Sequence, residues 1–122
     1  MEKIKNFNKI TEKINKFNWS FCREIKELRY FISQNKYYED ISVIEIIFEY
    51  KGTESYLIKT QFKELGTYEI SSEGLILQLS SFQVIDIRND GWSELNYKVY
   101  DYECENIKLF CKEIEVISVD KL

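Results

Sequence analysis

The stretch from Gly74 to Val119 limits the possible folds most, because its apolar residues recur at every second position through successive segments. Leu75, Leu77 and Leu79 alternate with neighbours on the other face, followed by Phe82 and Val84. The pattern returns along Leu95, Tyr97 and Val99, and again along Ile107, Leu109 and Cys111. A strand with one buried face needs this period, whereas a helix repeats every three or four residues. The breaks carry turn chemistry: Asn89-Asp90-Gly91, and the polar Glu103-Cys104-Glu105-Asn106. The apolar set moves from odd to even numbers at Ser80-Ser81, and again between Cys111 and Ile114. A one-residue slip turns every side chain to the other face, so each site predicts a β-bulge or a bend. Bulges let a sheet curl.

The preceding chain supports the same class. Residues 41–50 place Ile44, Ile46, Phe48 and Tyr50 on one face of a strand. Lys51-Gly52-Thr53 turns the chain, and Tyr56, Ile58, Thr60 and Phe62 answer from residues 55–62, which predicts a hairpin. Leu65-Gly66 and Glu73-Gly74 bracket a short strand from Tyr68 to Ser71. Residues 34–40 form a polar loop with Tyr37 and Tyr38 at its tip. Ile4, Phe7, Ile10, Ile14 and Phe17 fall three or four apart, which predicts an amphipathic helix over residues 1–17. Residues 18–33 stay open: Phe21, Ile25, Leu28 and Ile32 suit a helical stripe, while Arg29-Tyr30-Phe31-Ile32 suits a strand. Periodicity alone favours helix there. The fold class expected is mainly β, at the margin of α+β. It is an antiparallel sandwich or partly closed barrel of six or seven strands with one N-terminal helix. The 122 residues make one domain, with residues 18–122 mainly antiparallel β.

Composition narrows the chemistry. The chain has no His, which removes imidazole acid/base catalysis, the Ser-His-Asp and Cys-His nucleophile systems and every His-containing zinc site. Its three cysteines, Cys22, Cys104 and Cys111, form no C-x-x-C pair, so reduced thiols are expected; a Cys104–Cys111 bridge across the turn is the geometric alternative. No apolar leader core and no run of 18 apolar residues occur, so a cytoplasmic protein without a membrane span is expected. Residues 1–40 hold nine Lys/Arg against six Asp/Glu, net +3, and residues 41–122 hold eight against fifteen, net −7. An acidic β-region is a poor nucleic-acid partner and suits a basic protein, through electrostatic steering.

Carboxylates are the remaining candidates for chemistry. Asp86, Asp90, Asp101, Glu103 and Glu105 flank the turns of the last strands. A pair of them would serve glycoside hydrolysis or a divalent cation, but EF-hand spacing is absent, and no metal or cofactor is expected. Asp101 follows Tyr97 and Val99 on the apolar face, which predicts a buried carboxylate with a partner such as Arg88. Trp92 after Gly91 reads as a corner residue, or as a stacking platform in a barrel mouth for a small molecule or carbohydrate. Ser80 and Ser81 lack the G-x-S-x-G setting of a nucleophile.

A set of residues resembles a group of small bacterial domains, the immunity proteins of polymorphic toxin systems. They are Gln78-Leu79-Ser80-Ser81-Phe82, Asp86, Gly91-Trp92, Tyr97, Val99, Asp101-Tyr102-Glu103, Phe110-Cys111 and Ile114-Glu115-Val116. The resemblance covers about the last two-thirds of the chain. It implies a β-rich, cytosolic, non-catalytic protein. Members often open with a Phe-His-Asp segment before the first strand; here Phe21-Cys22-Arg23 stands in that place, so the His and Asp are not retained and their role does not carry over. With Ile25, Leu28 and Tyr30 following, the resemblance tips residues 24–33 towards strand. The function expected is non-enzymatic protein binding: neutralisation of a basic toxin domain by occlusion. The expected docking face bears Asp86, Asp101, Glu103 and Glu105, with Tyr100 and Tyr102 as aromatic anchors. A ligand-binding β-domain and a carboxylate hydrolase are the alternatives.

Overall fold

A computed structural model describes residues 4–71, 77–88, 95–103 and 106–122. Among the described residues, one helical turn, α1 (Asn8–Thr11), and a 3-10 turn, Trp19–Phe21, precede seven strands. These are β1 (Cys22–Gln34), β2 (Asp40–Lys51), β3 (Ser55–Ile70), β4 (Leu77–Gln78), β5 (Phe82–Asp86), β6 (Tyr97–Asp101) and β7 (Ile107–Lys121). They form one antiparallel sheet in the order β4-β1-β2-β3-β7-β6-β5. The end strands β4 and β5 are separated only by Leu79, Ser80 and Ser81. Four residue steps reach at most about 14 Å, so both ends of the sheet lie close together and the sheet curls round. The mainly-β antiparallel architecture with a small N-terminal helix expected from the alternation is the one observed; it is a single sheet whose end strands β4 and β5 are not paired with each other.

The hairpin follows the pattern closely: Tyr50 lies opposite Tyr56, Phe48 opposite Ile58 and Ile44 opposite Phe62, all buried. Phe48, Phe62 and Phe82 fill the interior, with Phe48 and Phe82 rings 4.9 Å apart and Trp19 against both.

Two local expectations, the N-terminal helix and the separate strand at Tyr68–Ser71, are corrected, and the open reading of residues 18–33 resolves as strand over Cys22–Gln34. The expected helix over residues 1–17 is not formed among the described residues 4–17; α1 spans only Asn8–Thr11. Asn6 at φ 60° and Lys16 at φ 57° break the helical path on either side. Ile4, Ile10 and Ile14 are nonetheless buried, so the apolar stripe was a packing signal and not a long helix.

Residues 22–34 are strand, against the helical period. Register shifts against β2 between Cys22 and Glu24 and between Ile25 and Glu27 each insert an extra residue. The inward set of buried Cys22 and Ile25 and half-buried Leu28 is therefore spaced by three, and two bulges imitate a helix.

The short strand from Tyr68 to Ser71 is the end of β3, joined through an irregularity between Leu65 and Tyr68.

At the slip between Cys111 and Ile114, β7 stays continuous and carries no bulge against β3. Pairing with β3 runs unshifted from Lys63↔Glu113 to Leu65↔Cys111, while the intervening Glu64 sits at φ 56°.

Candidate functional site

The slip at Ser80-Ser81 is where β4 gives way to β5, and Asp101 organises it. Phe82 pairs with Asp101, whose side chain turns inward and is 1% exposed. Its carboxylate accepts the backbone N–H of Ser81 at 2.6 Å and of Ser80 at 3.2 Å. Leu79 donates its N–H to the Arg23 carbonyl at 2.7 Å, which fastens the same corner to β1. A buried carboxylate needs such donors, and here they are the two amides that the bend removes from any ladder. Asp101 is thus a structural anchor. Burial takes it off the expected docking face, and its partners are the corner amides in place of Arg88.

Asp86 is also separated from that face. It pairs with Tyr97, four residues along β5 from Phe82, or roughly 13 Å at strand rise. Arg88 donates from Nε at 2.9 Å, from Nη2 and from its backbone N–H at 3.0 Å. These hydrogen bonds hold the Asp86 carboxyl at about 2. Asp86 and Asp101 are not brought together as a pair: Asp101 is sealed at the corner and Asp86 is held by Arg88.

Tyr100, Tyr102 and Glu103 remain together, at an open groove of about 760 Å³ whose other walls are Glu69, Lys98, Ile107 and Lys108, with the buried Asp101 at its base. Tyr100 faces outward on β6 with the Lys98 ammonium 4.7 Å from its ring. Tyr102, 68% exposed, follows the corner and donates its N–H to the Ser81 carbonyl at 3.1 Å. The two lysines make this groove mixed in charge, where the chain order of acidic residues had predicted a negative face. Glu105, Trp92, Cys104 and the Asn89-Asp90-Gly91 turn lie outside the described residues.

Sequence reasoning missed two surfaces. At the β2–β3 hairpin, an open groove of about 740 Å³ gathers Lys13, Lys16 and Lys51 with Phe21, Tyr50 and Tyr56. Lys51 is engaged with Glu24 at 3.5 Å, and Lys13 with the Val119 carbonyl at 2.7 Å. Far from the hairpin, Tyr30 and Ile32 are 50% and 57% exposed although they share the inward face with Ile44 and Ser42, their partners across β1 and β2. Tyr68 stacks on Tyr30 at 5.8 Å. The flagged Tyr37 and Tyr38 project from the adjoining turn, fixed by Asn35 Oδ1, which accepts the Tyr37 and Glu39 N–H groups at 2.9 and 3.1 Å.

Cys22 and Cys111 are buried free thiols, which removes the Cys104–Cys111 bridge. Burial raises both, Cys111 to about 12, so neither supplies a thiolate at neutral pH. Among the described residues, no three Cys, Asp or Glu side chains converge as a metal site, and no helix is long and apolar enough to cross a membrane. Comparison with known protein families, curated proteins and solved structures finds no match to this chain.

Proposed function

We propose that the chain is a non-enzymatic protein-binding domain, an immunity protein that covers the working surface of a cognate bacterial toxin domain in the cytoplasm. The resemblance centred on Ser80-Ser81-Phe82 and Asp101-Tyr102-Glu103 supplies the partner class. The observation that carries the docking site is Tyr102, 68% exposed beside Tyr100 at the lip of a groove whose corner is fixed by the buried Asp101. A tyrosine offers a large amphipathic contact at low entropic cost when its backbone is already held. Glu103 supplies charge at the same lip, and the net −7 of residues 41–122 steers a basic partner towards this part of the molecule. The Phe-filled interior disfavours a ligand inside the barrel.

The test is a set of parallel captures from the native lysate with wild-type, Tyr102→Ala and Glu103→Lys domains at low and high salt. A basic partner retained by wild type should be lost roughly tenfold or more by Tyr102→Ala, as for an interface hot spot. Glu103→Lys should slow its association mainly at low salt. A partner held equally by all three domains would take the groove out of the proposal.

A further inference from the structure

The groove of about 740 Å³ at the hairpin end takes no part in the proposed docking face. The two sites lie at opposite ends of β7: Tyr56 of the hairpin pairs with Lys121, whereas Ile107, a wall of the Tyr102 groove, pairs with Ile70. Tyr50 lies at the floor of the hairpin groove and is 2% exposed. Its hydroxyl oxygen accepts the Asn18 N–H at 3.4 Å, but among the described residues its own O–H has no acceptor. A buried hydroxyl normally finds a partner for its proton, and leaving that donor unspent is costly. Gly52 keeps the hydroxyl uncovered, since a Cβ there would stand 3.0 Å from the ring Cε1 and 3.7 Å from the oxygen.

Three lysines surround this donor, and their charge is poorly balanced within the groove. Lys16 makes no hydrogen bond or ion pair among the described residues, and its backbone is held at φ 57°, where a side chain is strained. Lys13 bonds a neutral group, the Val119 carbonyl at 2.7 Å. Lys51 reaches Glu24 and Glu49 at 3.5 and 3.8 Å, and it shares both with Lys26. Glu54, the carboxylate that lines the groove, is taken by Lys121 at 3.0 Å and by the Tyr56 hydroxyl at 3.1 Å. Positive charge therefore gathers around an unspent donor, in a chain whose net charge is −4.

We infer that this groove binds a small organic phosphate monoester. Lysines act as point charges on the tetrahedral oxygens of a phosphate, whereas a planar carboxylate is met best by the fork of an arginine. No arginine is among the described residues that line the groove. A phosphate dianion takes up the ammonium groups of Lys16 and Lys51 and still offers an oxygen to the Tyr50 O–H. The body of the ligand is apolar, because Phe21, 38% exposed, and Ile14 border the same groove. The size of the groove falls within the range of small-ligand sites.

The experiment is a titration of the full chain, followed by amide proton–nitrogen NMR spectra, with phenyl phosphate, inorganic phosphate and benzoate at fixed pH and ionic strength. Phenyl phosphate should shift the Lys16, Gly52 and Thr53 amides saturably, with a dissociation constant roughly tenfold or more below those of the other two. Lys16→Gly should weaken that binding roughly tenfold. Residue 16 is exposed and glycine accepts φ 57° without strain, so this variant keeps its fold, which its own spectrum verifies. Tyr50→Phe keeps the ring, removes the donor and should weaken binding severalfold. Inorganic phosphate bound as tightly as phenyl phosphate would mean an adventitious ion only and would overturn the inference. Equal binding of benzoate would do the same, as would millimolar phenyl phosphate that leaves these amides unmoved. Binding indifferent to Lys16→Gly would also overturn it.

Discussion

At the β2–β3 hairpin the inward face of the sheet is sealed: Tyr50 and Tyr56 are 2% and 8% exposed. Phe17 stacks on Tyr50 at 5.1 Å, and Ile10 and Ile14 are buried. At the other end of the same strands the same face is open, with Tyr30, Ile32 and Tyr68 standing half in solvent. The difference lies in the first twenty-one residues. Residues 4–6 run beside β7 past the end of β6, with Lys5 donating to the Ile114 carbonyl at 2.9 Å and accepting from Val116 at 3.0 Å. The chain then crosses the hairpin end before β1 begins. No described segment does the same at the far end. One end therefore contributes stability through burial, and the other keeps its apolar surface available for contact.

The sharpest way to break this contrast is a matched pair of truncations. Ile10→Ala, in the seal, should cost roughly 2–5 kcal/mol, while Ile32→Ala, at the open end, should stay within about 0.5 kcal/mol, both read from urea denaturation of dilute protein. Equal losses would mean that the ends are not energetically distinct. Next in size is the corner. Asp101→Ala removes the acceptor for the Ser80 and Ser81 amides and should cost about 2–3 kcal/mol, with Asp101→Asn costing less because one acceptor oxygen survives. If both substitutions are harmless, the corner does not depend on this carboxylate.

A smaller effect is expected from Tyr56→Phe. The Tyr56 hydroxyl donates to the Lys13 carbonyl or to Glu54, each at 3.1 Å, tying the N-terminal segment to the hairpin. Its loss should cost about 1 kcal/mol and speed exchange of the N-terminal amides without affecting the far end.

The smallest effect concerns how the open end keeps its order. Glu45, on the outward face, accepts from Arg29 of β1 and from Gln61, both at 2.8 Å. Burial pushes its carboxyl up, but these two donors and the Arg29 and Lys59 charges outweigh it, leaving the group below its ordinary value. A lowered acid stabilises above its unfolded-state value and loses that contribution as pH falls. Glu45→Gln should therefore cost about 1 kcal/mol or less near neutral pH, and the difference from wild type should shrink below about pH 4.3. A difference that grows in acid would reverse the assignment.

Much of the fold was legible because β2, the first part of β3, β6 and the start of β7 keep strict alternation, and period is the strongest local signal. β1 was not legible from period alone, because its two bulges space Cys22, Ile25 and Leu28 like a helical stripe. The N-terminal stripe misled in the opposite direction: Ile10 and Ile14 are buried from one short helical stretch, while Ile4 is buried beside Lys5, which pairs with β7. Of the expected docking residues, Asp101 could be read as buried, because it shares parity with Tyr97 and Val99. The separation of Asp86 could not, since its engagement depends on where the chain after β5 places Arg88. Nor could the open end: Tyr30 and Ile32 share the inward face with Ile44 and Ser42 and are half-exposed all the same.

The contrast between the two ends is tested most directly by residue-resolved hydrogen exchange. The account predicts that the Lys5 and Val116 amides exchange only with global unfolding, while amides around Tyr30, Ile32 and Tyr68 at the open end exchange orders of magnitude faster. Fast exchange at Lys5 and Val116, with full protection at the open end, would contradict it.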